Sequence, residues 1–187
     1  MYDTSEFKKG LRVEIEQVPY TMLEVEFVKP GKGQAFTRVK LKNMLTGLTL
    51  DRTYKSGEKL NPADIVDVEM QFLYATDDIY HFMNNQNYEQ FEIPKNKLDE
   101  AWRFLIDNMP VTITLYNGLP VGVNLPNFSI LTIVECSPAV KGDTVTNASK
   151  LATLQTGATL QVPLFVEQGD KIKVDTRTGA YVERAKS

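Results

Sequence analysis

Cysteine and histidine are almost missing from this chain of 187 residues, which has Cys136 as its one cysteine and His81 as its one histidine. A lone cysteine excludes an intrachain disulfide and fits a reducing compartment. One cysteine with one histidine also excludes a zinc site of the usual Cys/His type, and no metal or other cofactor is expected. Cys136 ends the run Leu131-Thr132-Ile133-Val134-Glu135-Cys136, a place that suits a small residue at a strand end. His81 alternates with apolar neighbours in Ile79-Tyr80-His81-Phe82-Met83, the pattern of a strand-face histidine rather than a general base. No serine stands in a nucleophile elbow. The acidic pairs Asp77-Asp78 and Asp99-Glu100 are adjacent in sequence, so they read as turn and helix-start residues, not as facing carboxylates. Gly31-Lys32-Gly33 lacks both the spacing and the following Ser or Thr of a Walker phosphate loop. This inventory argues against an enzyme. Long apolar runs are missing too: nothing approaches the ~18 residues of a membrane span. Met1-Tyr2-Asp3-Thr4-Ser5-Glu6 lacks the basic-then-apolar order of a secretory signal, so a cytoplasmic protein without membrane contact is expected.

Acidic residues are missing from one stretch in particular. Between Phe27 and Leu50 there is no Asp or Glu, while Lys29, Lys32, Arg38, Lys40 and Lys42 are all cationic. The net charge of −3 hides this segregation. Residues 1–62 carry 11 Lys+Arg against 8 Asp+Glu, residues 63–126 carry 3 against 10, and residues 127–187 carry 7 against 6. A protein that coats nucleic acid indiscriminately would not carry a middle third that repels phosphate. Binding to a shaped RNA through selected faces is the better fit.

What is present is a series of short strands. Leu11–Ile15, Val66–Met70, Val111–Tyr116 and Leu160–Val162 are separated by turn residues, the pattern of small barrels rather than alternating β/α units. Asn117-Gly118 predicts a type I′ hairpin, because both central positions of that turn need positive φ. Gly179 predicts a second hairpin corner. Residues 95–109 predict the one helix: Leu98, Trp102, Leu105, Ile106 and Met109 recur at helical spacing opposite Asp99, Glu100, Arg103 and Asp107, and Pro110 ends the run. Boundaries at Pro62 and Pro126 divide the chain into three pieces, 1–62, 63–126 and 127–187, each about 60 residues and near the lower limit for an independent core.

The segment Val28-Lys29-Pro30-Gly31-Lys32-Gly33-Gln34-Ala35-Phe36 lies between two alternating runs and predicts a hairpin with a tight connection. Pro30 presets its own φ, and both flanking glycines tolerate positive φ, so Lys32 should project from a defined turn. Most such lysines are merely solvated hairpin tips. This one is set apart by resemblance. The run from Glu26 to Phe36, followed by Arg38-Val39-Lys40-Leu41, resembles the first domain of bacterial elongation factor P. So do Val162-Pro163-Leu164-Phe165, Gly169-Asp170-Lys171-Ile172-Lys173-Val174-Asp175-Thr176-Arg177-Thr178-Gly179 and Tyr181-Val182-Glu183-Arg184 near the other end.

The resemblance covers essentially the whole chain. It implies an all-β fold with one or more short helices: an SH3-like barrel followed by two oligonucleotide-binding (OB) barrels, in an L-shaped, tRNA-like outline. It also implies a monomeric factor that binds the 70S ribosome between the P and E sites, positions the P-site peptidyl-tRNA and relieves stalling at consecutive prolines. Lys29, Pro30, Gly31, Lys32, Gly33 and Gln34 would then form the loop that enters the peptidyl-transferase centre. Arg38, Lys40, Lys42, Tyr181 and Arg184 would contact the tRNA backbone, and Gly142, Asp143 and Thr144 the E-site codon. After Thr144 this chain departs from the family pattern, with Leu151 where the family more often has proline. Lys32 would be modified, β-lysylation by a lysyl-tRNA-synthetase-like enzyme being favoured and hydroxylation implied as well; other lysine tips of the family carry an aminopentanol or stay bare. The rival is a generic OB-type RNA-binding protein with no role in peptide-bond formation.

Overall fold

The computed structural model describes residues 1–138 and 148–186. Three antiparallel sheets follow one another along the chain. The first contains β1 (Tyr2–Asp3), β2 (Arg12–Ile15), β3 (Val18–Val28), β4 (Phe36–Asn43), β5 (Thr49–Lys55) and β6 (Lys59–Pro62), in the order β1-β6-β2-β3-β4-β5. The second contains β7 (Ile65–Thr76), β8 (Ile79–Asn84), β9 (Gln90–Pro94), β10 (Pro110–Tyr116) and β11 (Leu119–Asn124), ordered β11-β10-β7-β8-β9. The third contains β12 (Phe128–Cys136), β13 (Ser149–Leu154), β14 (Thr159–Pro163), β15 (Lys171–Asp175) and β16 (Tyr181–Arg184), ordered β14-β13-β12-β15-β16. The all-β expectation holds. By compactness the chain forms two units, Met1–Asp67 with Thr114–Gly122, and Val68–Ile113 with Val123–Ser187.

Alternation along the strands sets what is buried. In β4, Thr37, Val39 and Leu41 point inward and join Phe7, Val13, Tyr20, Met22 and Tyr54 in the first core. On β3 the alternation changes phase. Met22 pairs with Leu41 but Glu24 pairs with Lys40, so Leu23 is an extra residue in the ladder. This bulge lets both Met22 and Val25 face the core while Glu24 turns to the opposite face. Asn117 and Gly118 have φ of 50° and 80°, as the type I′ turn requires. The β10–β11 turn is fastened to the first sheet within its unit. The Tyr116 hydroxyl donates to Glu14 Oε2 at 2.7 Å, Thr114 Oγ1 donates to Asp67 Oδ1 at 2.8 Å, and Arg12 Nη2 lies 3.1 Å from Asp67 Oδ2. The bond to the Glu14 carboxylate raises the Tyr116 pKa, because it favours the protonated phenol.

The helix expected over 95–109 does not form. Only single 3₁₀ turns occur there, Lys95–Lys97 and Ala101–Arg103. Asp99 and Asn108 adopt φ of 51° and 68°, which an α-helix excludes. The physical reason is Phe104. On a continuous helix it would share the polar side with Glu100 and Asp107; here it is 2% exposed, in the third sheet's core with Leu131, Ile133, Leu154 and Ile172. Leu98, Leu105 and Met109 are buried as the spacing suggested, so the apolar positions were legible and the conformation was not.

Candidate nucleic-acid interface

The longest strand of the first sheet, β3, extends with β4 into a hairpin closed by the pair Val28↔Phe36. Residues 29–35 form the tip, a broader connection than the tight turn expected from sequence. Lys32 is exposed at its centre, as are Lys29, Gly31, Gly33 and Gln34, with Pro30 half-buried. Gly33 has φ of 119°, a left-handed conformation that favours glycine. Gly31 does not have positive φ, contrary to expectation, and a Cβ built on it would meet nothing of this chain within 4 Å.

The basic flank of the hairpin is organised differently from a bare cationic face. Register places Arg38 opposite Glu26 and Lys40 opposite Glu24, with side-chain contacts of 3.7 and 3.8 Å. Lys40 also faces Asp51 across β5. These carboxylates lie outside the stretch that has no acidic residue, so linear sequence hid them. Lys42 lies opposite Thr21 and Thr49. Among the described residues no carboxylate pairs with Lys29, Lys32 or Lys42. The hairpin thus has a self-neutralised flank and an uncompensated cationic tip.

On the third sheet, Tyr181 is half-buried against the core and Arg184 is exposed at the other end of β16. Arg184 Nη1 lies 3.7 Å from Asp170 Oδ2, and its guanidinium stands 5.6 Å from the exposed Phe165 ring. Phe165 belongs to a motif read in the sequence, but only the fold shows it beneath Arg184. Both β16 residues border a shallow groove of about 1030 Å³ whose lining has mixed charge, with Lys171 and Lys186 beside Asp170 and Glu183. In the adjoining corner Arg177 donates to Asp175 through its side chain at 2.9 and 3.1 Å and through its backbone N–H, which holds the Asp175 carboxyl below the usual range. Gly142, Asp143 and Thr144 lie outside the described residues.

Three family models match in succession: the elongation factor P KOW-like domain over residues 3–60, the elongation factor P OB domain over 65–123, and the elongation factor P C-terminal domain over 130–184. Elongation factor P of Moorella thermoacetica is 48% identical over 185 residues, covering 99% of this chain and 100% of its own. The chain belongs to the elongation factor P family. It is therefore a translation elongation factor. Two solved structures share the fold. Eukaryotic translation initiation factor 5A from Methanococcus jannaschii superimposes with a TM-score of 0.54 at 24% identity, over 64% of this chain and 88% of that one. A translation initiation factor 5A family protein from Naegleria fowleri gives 0.51 at 18% identity, over 66% and 96%.

His81 is a strand-face residue, its ring stacked on Tyr74 at 4.5 Å and its Nδ1 3.6 Å from Glu92 Oε1. Cys136 is half-buried at the end of β12, 3.7 Å from the Val166 carbonyl. Among the described residues no helix is long and apolar enough to cross a membrane.

Proposed function

We propose that this chain binds the 70S ribosome between the P and E sites and holds the P-site peptidyl-tRNA in a productive position, relieving stalls at consecutive prolines. Proline is a slow partner because its secondary amine and fixed φ restrict the approach to near-attack geometry. Restoring orientation needs no acid–base group, only a body that fixes the tRNA. The supporting observation is the tip: Lys32 is exposed and uncompensated at the end of a long hairpin, beside a glycine that this fold does not itself require. With no side chain, Gly31 leaves room beside Lys32 for a partner's close approach. Lys29 and Lys42 contact phosphate directly, whereas Arg38 and Lys40 exchange their glutamates for phosphates; such contacts position without reading sequence. Tyr181 and Arg184 contact the tRNA backbone as well, and Gly142, Asp143 and Thr144 contact the E-site codon. We also assign three domains, 1–62, 63–126 and 127–187, a monomer and a cytoplasmic location.

An unmodified lysine reaches only about 6 Å from its Cα, an estimate from ordinary bond lengths. A β-lysyl group on Nζ, added by a lysyl-tRNA-synthetase-like enzyme, lengthens the arm and keeps a cationic end near the tRNA terminus. Peptide mapping of native protein should show one added lysine mass at Lys32. The decisive assay is synthesis of a Pro-Pro-Pro reporter on ribosomes with and without the factor, and with Lys32→Ala. Full rescue by Lys32→Ala sinks the tip mechanism; no stimulation by native protein at any concentration sinks the function. The rival RNA-binding reading expects saturation by short single strands, whereas this one expects binding only to folded tRNA or ribosomes.

A further inference from the structure

The Arg103 side chain is only 24% exposed and is held from several directions. Its Nη2 donates to the Thr159 carbonyl at 3.0 Å, its Nη1 lies 3.3 Å from Glu100 Oε2, and its guanidinium stands 5.2 Å from the Phe104 ring. Its own carbonyl accepts the Thr156 hydroxyl at 2.7 Å, and the Phe104 carbonyl accepts Ser129 Oγ at 3.2 Å. Arg103 is therefore fixed in place, with little freedom to swing aside.

The surface it meets is the β15–β16 corner. A Cβ on Gly179 would stand 3.2 Å from Arg103 Nη1 and 3.6 Å from Phe104 Cζ. Gly179 also has φ of 77°, and its N–H donates to the Asp175 carbonyl at 2.7 Å. The guanidinium thus closes against the bare backbone of the corner, two residues before Tyr181. An alanine there would be strained by its φ and would also have to push the guanidinium away.

We infer that Arg103 is a positioning residue for β16: it braces the corner at Gly179 and so holds Tyr181 in place to meet the ribosome-bound tRNA. The inference rests on the proposed contact between β16 and tRNA, and its test separates the two. Full-length factor is titrated against ribosomes stalled on a Pro-Pro-Pro reporter, and native-state hydrogen exchange is followed at the Gly179 and Ala180 amides. Arg103→Ala should speed exchange at both amides. It should raise the factor concentration for half-maximal rescue by up to about tenfold, the size of one hydrogen bond made by Tyr181, and leave the maximal rate unchanged. Arg103→Lys should fall between, because an ammonium lacks the guanidinium fork.

Arg103→Ala combined with Tyr181→Ala should be no worse than Tyr181→Ala alone, since one acts through the other. In stability, Gly179→Ala combined with Arg103→Ala should cost less than the two separate losses added together, because the clash has gone. Unchanged exchange at the corner overturns the bracing role. Effects of Arg103→Ala and Tyr181→Ala on half-maximal concentration that multiply independently overturn the coupling. If Tyr181→Ala leaves that concentration unchanged, the tRNA contact fails, and the positioning role with it, while the exchange result still reports whether Arg103 braces the corner.

Discussion

The paired flank of the hairpin makes a counter-intuitive prediction: removing two carboxylates from the chain should tighten its grip on RNA. In Glu24→Gln with Glu26→Gln, the contacts at 3.8 Å to Lys40 and 3.7 Å to Arg38 are lost, and both cations become free. All four side chains are well exposed, between 41% and 74%. At such exposure each pair is worth only about 0.2–1 kcal/mol, so folding stability should fall by no more than about 2 kcal/mol. The same range, now no longer spent in competition with phosphate, corresponds to binding of folded tRNA tighter by about two- to thirtyfold at low salt. Lys40 keeps Asp51 opposite it, so most of the gain should come from Arg38.

The more diagnostic quantity is the salt dependence. The parent slope counts Arg38 and Lys40 only to the extent that they leave their glutamates for phosphate, so the double variant should steepen the slope of log K against log salt by up to about 0.7–0.9 per cation. The assay is fluorescence titration of labelled tRNA from about 50 to 200 mM salt, a range over which such slopes are resolved. An unchanged slope and affinity in the double variant would show that Arg38 and Lys40 never touch phosphate, and the hairpin flank would drop out of the interface.

Three further outcomes are expected. Gly31→Ala should fold with stability within about 0.5 kcal/mol of the parent, yet lose stall rescue, whereas Gly33→Ala should lose about 1 kcal/mol or more because of its φ; chemical denaturation beside the reporter assay separates them, and full activity of Gly31→Ala would remove the close-approach argument. Phe104→Ala should destabilise the unit that holds the third sheet by about 3–5 kcal/mol, read as a lowered denaturation midpoint, while a loss under about 1 kcal/mol would show that its burial is not needed. For Tyr116 the raised pKa sets the sign: its contribution is fully present below the unfolded value, near 10.0, and is lost as pH rises through the higher folded value. Tyr116→Phe should therefore abolish that part of the alkaline loss of stability, and an identical alkaline limb in parent and variant would show that the Glu14 bond contributes nothing.

Much of the fold was legible because strands and turns are local. Asn117-Gly118 carries its turn type in two residues, and Val39 and Leu41 announce their inward face by alternation alone. The tip lysine was legible for the same reason, although Gly31 and Gly33 look alike in sequence and differ in the backbone they need. What stayed hidden depends on partners distant in the chain. The pairing of Lys40 with Glu24 follows from the bulge at Leu23; without that extra residue the register would set Glu24 opposite Val39 and turn a carboxylate toward the core. The helix over 95–109 was misread because the apolar spacing was genuine while Phe104 answered to strands that begin more than twenty residues later. Phe165 under Arg184 and Arg103 against Gly179 are likewise meetings that periodicity has no means to report.

The burial of Phe104 also bears on how the chain is made. Residue 104 is synthesised before any strand of the third sheet, yet the core of that sheet closes around it. As the last third of the chain emerges, an apolar ring already stands waiting, and β12 can collapse onto it instead of searching for a partner among its own later strands. Residues 127–187 released as a fragment would lack this seed and leave a void of aromatic size, so the last barrel should be a dependent folder. Its order is inherited from chain that precedes it, and a nascent protein halted near residue 120 would carry an unsatisfied sticky point for other chains to find.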